Sequence, residues 1–381
     1  MRKRFGEIAT FSRGLTFSKG DVVSESSKRV LRSNNIDLAT HSLVFDDIAC
    51  LKEGFIIPDD KMLHRNDIFI CMSNGSTQHL GKVAFISEEI GFAFGGFMGA
   101  IHPDESQIFP KYAFYACLSS EYRRFLSSIF NGININNLKW SDLSDFRIPM
   151  LPLAEQERIV AELDLLQGII DKQKAQLKEL DTLAQSIFYD MFQHEHGQVV
   201  KLHDVCSIVS GLVNPNEEPY CNYPHIGGAN IESGTGVFIN VKLAKEENLI
   251  SGKYLFDETM ILYSKIRPNL NKVALPSFVG ICSADMYPII PDRDRIDRTF
   301  LKFVLSQPDF LEYAISHSGR ANIPKINRED LMDYSFMSYS LSLQQAFATK
   351  IEAIERQKAS INASIAETQK LFDYTMDKYF G

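Results

Sequence analysis

Residues 152–192 read PLAEQERIVAELDLLQGIIDKQKAQLKELDTLAQSIFYDMF, and this run decides the fold. Apart from Gly168 it holds no glycine, and no proline follows Pro152; Leu, Ile, Ala, Gln, Glu and Lys, all good helix formers, fill most of it. Alternating steps of three and four from Gln156 land on Ile159, Leu163, Leu166, Ile170, Gln173, Leu177, Leu180, Ala184, Ile187 and Met191. All but the two glutamines are apolar, so the spacing predicts a heptad seam along one helix. At 1.5 Å per residue, residues 156–191 would run about 54 Å.

The run recurs 188 residues later. The same steps land on Gln344, Phe347, Ile351, Ile354, Lys358, Ile361, Ile365, Thr368, Phe372, Thr375 and Tyr379. Identities at that offset include Leu153 with Leu341, Glu179 with Glu367, Leu183 with Leu371 and Phe192 with Phe380. An apolar stripe this long must be covered. The two helices most simply cover each other, which requires an antiparallel pair; pairing of each with another chain is the alternative. Gln173 and Lys358 sit mid-seam, where a polar residue can set register.

The remaining segments echo each other more faintly. Lys82-Val83-Ala84 recurs as Lys272-Val273-Ala274, Asn35-Ile36 as Asn230-Ile231 and Gly14-Leu15 as Gly211-Leu212. Short β runs at 67–71 and 259–263 precede the Lys-Val-Ala matches, and helical stretches are expected at 110–128 and 299–316. The expected fold class is α+β, with two pseudo-repeated globular domains joined by two long antiparallel coiled-coil helices. The boundaries follow: 1–150, 151–195, 196–338 and 339–381.

Composition excludes some classes. Hydrophobic residues make up 45% of the 381 and charged residues 23%, an ordinary globular balance. No apolar run is long enough to span a membrane, and Arg2-Lys3-Arg4 leads into no signal-peptide core. The six cysteines are scattered without a CxxC pair, so they are expected to be reduced and the chain cytoplasmic. The net charge of −8 comes mainly from residues 151–195, which hold 4 basic and 9 acidic side chains against 17 and 17 in residues 1–150. A locally basic face for phosphate therefore stays open, whereas steering by net charge does not.

No catalytic set is legible. Gly81-Lys82 and Gly252-Lys253 are followed by Val and Tyr rather than Ser or Thr, so no phosphate-cradling loop is present. There is no Glu-x-Lys for a nuclease, and Asn214-Pro215 continues into Asn216-Glu217 rather than Pro-aromatic, as adenine methyltransferases require. His194, His196, His203 and Cys206 fit no standard zinc spacing. Catalytic residues and metal are both expected to be absent.

The opening Pro152-Leu153-Ala154-Glu155-Gln156-Glu157-Arg158-Ile159, and the later Lys178-Glu179-Leu180-Asp181-Thr182-Leu183-Ala184-Gln185-Ser186-Ile187-Phe188, resemble the central conserved region of type I restriction–modification specificity subunits. The resemblance extends to the order target-recognition domain, conserved helix, target-recognition domain, conserved helix. It implies a non-catalytic subunit of a methyltransferase and endonuclease complex. Each recognition domain would read one half of a bipartite, asymmetric double-stranded DNA target, and the helices would set the spacer. Two modification subunits, adenine-N6 methyltransferases, would dock on the helices, and restriction subunits with translocase and nuclease activity would join them. No cofactor is then expected in this chain; S-adenosylmethionine, ATP and Mg would belong to the partners. Docking is expected at Leu153, Glu155, Gln156, Arg158, Leu341 and Gln344. The second helix departs from the pattern, since Ser340 replaces the proline and Leu343 stands where Glu155 does.

Reading bases in a major groove needs Arg or Lys for guanine, Asn or Gln for adenine, and apolar contact for thymine methyls. The polar loop Ser73, Asn74, Ser76, Thr77, Gln78 and His79 before Lys82 has that chemistry. Its counterpart before Lys272 carries Lys265, Arg267, Asn269 and Asn271. A second pair of candidates, Asn134, Asn136, Asn137 and Lys139 against Arg320, Asn322 and Lys325, lies ahead of the long helices. Lys82 and Lys272 suit phosphate better than bases, and Trp140, the single tryptophan, suits packing. Solvated turns are the plain alternative for each of these loops. Two other functions stay open: a stand-alone bipartite DNA-binding protein with a coiled-coil spacer, and a scaffold that never touches DNA.

Overall fold

In both long helices every predicted seam position is buried or half-buried, while most positions between them are exposed. A computed structural model describes residues 1–130, 137–319 and 323–381 and places these helices at Leu153–Phe192 and Leu341–Phe380. The chain divides into two compact units, residues 1–175 with 362–381 and residues 176–361. Each unit therefore takes part of both helices, where the sequence suggested separate helical segments.

Within the first unit the helices run antiparallel, since Arg158 Nη2 donates to Tyr379 Oη (2.8 Å) while Gln173 Nε2 donates to Ser364 Oγ (2.7 Å). The second unit repeats the direction: Lys358 Nζ sits 2.7 Å from Asp181 Oδ1, and the Phe188 ring meets Phe347 edge-on at 5.6 Å. The mid-seam polar residues thus have partners within the pair, as a register-setting role requires.

The rest of each unit is built on one plan. In the first, Ala9–Arg13, Met98–Pro103, Ile68–Cys71 and Val83–Phe85 form an antiparallel sheet in that order. In the second, Cys206–Ile208, Met286–Pro291, Ile261–Ser264 and Val273–Ala274 do the same. Ile68–Cys71 and Ile261–Ser264 are buried at every position and largely apolar because both of their faces are covered. Ile68 and Ile70 face the helical side, whereas Phe69 and Cys71 face a second sheet; Ile261 and Tyr263 alternate with Leu262 in the same way. Each second sheet contains a parallel pair, Lys28–Leu31 with Ala93–Phe94 and Pro224–Ile226 with Gly280–Cys282. The units differ at its edges: Val22–Val23 is added on one side in the first, Tyr254–Phe256 on the other in the second.

The helical stretches expected at 110–128 and 299–316 are each broken. The pieces are Pro110–Ala116 and Ser120–Phe130, then Arg298–Val304 and Pro308–Ser316. The breaks have local causes: Ser119 Oγ accepts from Tyr122 N–H and starts a new helix, and Pro308 has no N–H to continue the old one. Trp140 packs as expected, stacked on Phe11 at 5.0 Å and lying over Gly99, where a Cβ would come within 2.4 Å of the indole.

Gln156 and Gln344 correct an expectation. Neither has exposed surface, so neither can meet a partner subunit. Gln156 Oε1 accepts from Phe109 N–H and its Nε2 donates to Leu151 O, both at 2.8 Å. Gln344 Oε1 accepts from Asp297 N–H and its Nε2 donates to Tyr339 O, again at 2.8 Å. Phe109 and Asp297 are the N-caps of Pro110–Ala116 and Arg298–Val304. Each glutamine satisfies an orphan donor at a helix start and ties that helix to a long one.

Candidate nucleic-acid interface

The two groups of candidate residues in each unit come together. In the first unit Ser73 pairs with Asn137 in an isolated antiparallel bridge, and Leu138 N–H donates to Met72 O (2.7 Å). In the second, Ile266 pairs with Lys325, and Ile326 N–H donates to Lys265 O (3.1 Å). The loop after each central strand is thereby held against the segment leading to the long helix. Asn134, Asn136, Arg320 and Asn322 lie outside the described residues.

In the first unit this loop forms one wall of a cleft of about 830 Å³. Ser73, Asn74 and Gly75 line it from one side, with Thr16, Arg32, Asn34, Asp47 and Phe97 around the rest. Arg32 Nη2 is held 3.0 Å from Asp47 Oδ2, and Asn34 Nδ2 donates to the same carboxylate at 3.3 Å. Asn74 Oδ1 accepts from Ser76 N–H (3.0 Å), which shapes the loop, and its Nδ2 reaches Ser33 Oγ at 3.4 Å. Phe97 is 72% exposed at the cleft. Ser76, Thr77, Gln78, Asn137 and Lys139 are exposed, while His79 is half-buried.

The second unit offers different chemistry from the same position. Arg267 and Asn269 are exposed on either side of Pro268, and Arg267 and Asn271 adopt left-handed φ of 50° and 45°. Asn271 is half-buried with Nδ2 on Ser306 O (3.1 Å), which makes it a brace for the loop. Lys325 is half-buried beside Lys265.

The lysines expected at phosphates, Lys82 and Lys272, and the loop candidate Lys265 need correcting. Lys82 is buried and its Nζ donates to Ile36 O at 2.8 Å, and burial pulls the ammonium below the usual lysine range. Lys265 is buried too, donating to Ala284 O over the Tyr287 ring; burial, and next the charge of Lys325, pulls its ammonium down. Half-buried Lys272 donates to Gly228 O at 2.6 Å. Lys82 and Lys272 clamp equivalent turns, Ser33–Asn35 following Leu31 and Gly228–Asn230 following Ile226. Phe97, Arg32, Asn34 and Asp285 were missed, because only long-range backbone bonds bring them to the loop.

On the helices, Glu155 and Arg158 pair at 2.7 Å, Arg158 also reaches Glu162 at 3.2 Å, Leu153 is exposed and Leu341 half-buried. Among the described residues no group of three or more His, Cys, Asp or Glu side chains could hold a metal ion, and no helix is long and apolar enough to cross a membrane.

Residues 1–181 match the family model described as the type I restriction modification DNA specificity domain. That segment is a little under half of the chain, and over it the chain is similar to type I restriction–modification specificity subunits. It is 32% identical over 188 residues to the type I restriction enzyme EcoDI specificity subunit of Escherichia coli, covering 48% of this chain and 40% of that one. It is 34% identical over 179 residues to the StySPI specificity subunit of Salmonella potsdam, covering 45% and 37%. The matched region thus spans about two fifths of the length of these curated relatives. The fold is that of the crystal structure of a type I restriction–modification system S subunit from M. genitalium, with a TM-score of 0.63 over 100% of this chain and 96% of that one, at 13% identity. The likeness of fold therefore extends over both units.

Proposed function

We propose that this chain is the DNA sequence-specificity subunit of a type I restriction–modification complex. Each unit reads one half of a bipartite, asymmetric target, and the long helices set the spacing and dock two modification subunits. The observation that carries the reading is the pair of equivalent loops. They occupy one place in a repeated fold yet present amides and an aromatic ring in one unit and a guanidinium in the other. A scaffold has no use for such a difference, whereas two readers of unlike half-sites require it.

Exposed Lys139 and half-buried Lys325, each within two residues of its unit's loop bridge, suit phosphate contacts that position each unit. With a net charge of −8 the chain binds DNA weakly alone, and the partners add the missing positive charge. Docking falls to Leu153, Glu155, Arg158 and Leu341, joined by Leu183 and Leu371, equivalent leucines left 47% and 51% exposed on the two helices. The chain itself is non-catalytic, and S-adenosylmethionine, ATP and Mg serve the modification and restriction subunits.

The test is methyl transfer by the reconstituted complex. Purified modification subunits are supplied with labelled S-adenosylmethionine and unmodified genomic DNA, with and without this chain. Incorporation at adenine N6 that needs the chain supports the reading; equal incorporation in both reactions refutes it.

A further inference from the structure

The backbone makes the two units superposable residue by residue around their loops. Met72 N–H donates to Phe97 O (2.9 Å), and Lys265 N–H donates to Asp285 O (3.2 Å). Met72 O and Lys265 O each accept from a residue of the segment before the helix, Leu138 and Ile326. Phe97 and Asp285, like Leu138 and Ile326, stand 188 residues apart, the offset of the helices. Met72 therefore corresponds to Lys265, Ser73 to Ile266, and Asn74 to Arg267. In the first unit Asn74 and Phe97 line one cleft; Arg267 and Asp285 hold the equivalent backbone positions in the second, both exposed.

We propose that these two pairs are the base readers, the first taking an A·T pair and the second a G·C pair. The inference rests on the reading of both units as DNA-recognition domains and adds which bases they select. An amide donates to adenine N7 and accepts from its N6 amino group, and a phenyl ring covers the methyl of the paired thymine. A guanidinium forks onto guanine O6 and N7, and a carboxylate accepts from the amino group of the paired cytosine. Both pairs thus match the two bases of one base pair.

The surroundings agree. Phe97 is 72% exposed on the rim of an open cleft, a poor place for a ring with nothing to cover. The Asn74 amide spends one lone pair on Ser76 N–H, and its other contacts are a 3.4 Å approach to Ser33 Oγ and a hydrogen bond to the Cys71 thiol, weak contacts that it can exchange for a base edge. Arg267 is exposed, and its side chain makes no hydrogen bond or ion pair among the described residues. It is held at φ 50°, a conformation that long side chains adopt only where the fold imposes it. Asp285 is exposed on the turn that Phe97 occupies in the other unit. Arg32 is a poorer reader, since its guanidinium is already spent on Asp47.

The experiment maps N6-methyladenine across a host genome carrying the modification subunits with the wild-type chain, Phe97→Ala, Asn74→Ala, Arg267→Ala or Asp285→Ala. Phe97→Ala and Asn74→Ala should relax one A·T position of one half-site, with discrimination there falling about tenfold. Arg267→Ala and Asp285→Ala should relax one G·C position of the other half-site by a similar factor, and each variant should keep the stringency of its untouched half. Arg267→Gln, which keeps the site polar, should move the preference at that position from guanine to adenine. A chain-dependent bipartite motif whose positions stay stringent in all variants overturns the inference alone, as does relaxation at the opposite kind of base pair. A methylation pattern indifferent to the chain overturns the DNA-recognition reading together with it.

Discussion

Gln156→Ala should destabilise the first unit without touching any surface. The side chain is fully buried and makes two hydrogen bonds of 2.8 Å, accepting from Phe109 N–H and donating to Leu151 O. Truncation leaves one donor and one acceptor without partners in a site too closed for bulk water. An abandoned buried polar group costs about 1–3 kcal/mol, and relaxation recovers part of it, so a loss of roughly 2–3 kcal/mol is expected. For a unit of this size that lowers the melting temperature by about 4–12 °C. Calorimetry suits the measurement, because the two units need not melt together and the transition that shifts identifies the one affected. Hydrogen exchange adds a local readout: the Phe109 amide should lose protection while amides of residues 206–208 and 261–264 keep theirs. Gln344→Ala should produce the mirror result through Asp297 N–H in the second unit. A Gln156→Ala chain that melts like wild type, with Phe109 still protected, would refute the latch and return this glutamine to the candidates for partner docking.

Other perturbations follow from the same geometry. Lys82→Met should leave the slope of log K against log salt for DNA binding by the full complex unchanged, because the ammonium is committed to Ile36 O; Lys139→Ala should lower that slope by about one. A reduced slope for Lys82→Met would show that the lysine reaches phosphate. Gly99→Ala puts a methyl 2.4 Å from the Trp140 ring and should cost about 1–3 kcal/mol, with a shift in the emission of the single tryptophan. Unaltered emission and stability would mean the indole does not cover this strand. Burial of His225 lowers its pKa below the usual histidine value despite the Glu247 carboxylate 2.7 Å away. A depressed pKa means that the unfolded chain binds the proton more readily, so its contribution is complete above about pH 6.5 and declines as pH falls toward the folded value. Melting of the second unit at pH 7.5 and 5.5 should show a smaller pH dependence in His225→Asn; identical dependence in both proteins would count against this assignment.

The long helices were legible because a seam with a 3,4 rhythm leaves a trace at every position, and repetition at one offset doubled it. The central strands were legible for a related reason: burial on both faces makes residues 68–71 and 260–263 nearly continuous in apolar character. The helix breaks after Ala116 and Val304 were not read, since one depends on a serine hydroxyl turning back to its own backbone and the other on a proline that also suits a helix interior boundary. Gln156 and Gln344 recurred at the offset, which signalled importance but not direction; a glutamine on a seam looks the same whether it faces a partner or a backbone donor. Lys82 and Lys272 carried a usable clue, each lying next to buried Val-Ala in a strand context where alternate residues point inward. The loops were found by their chemistry, yet Phe97 and Asp285 were invisible beside them. Nothing local marks a residue that reaches a site only through carbonyl bonds to a strand some 20 residues away.

One measurement reaches the central claim most directly: N6-methyladenine mapped genome-wide in cells that express the modification subunits, with this chain present or deleted. The account predicts a single asymmetric motif with two short halves separated by an unread spacer, present with the chain and lost without it. A methylome unchanged by the deletion, or a chain-dependent motif that is contiguous and palindromic, would contradict it.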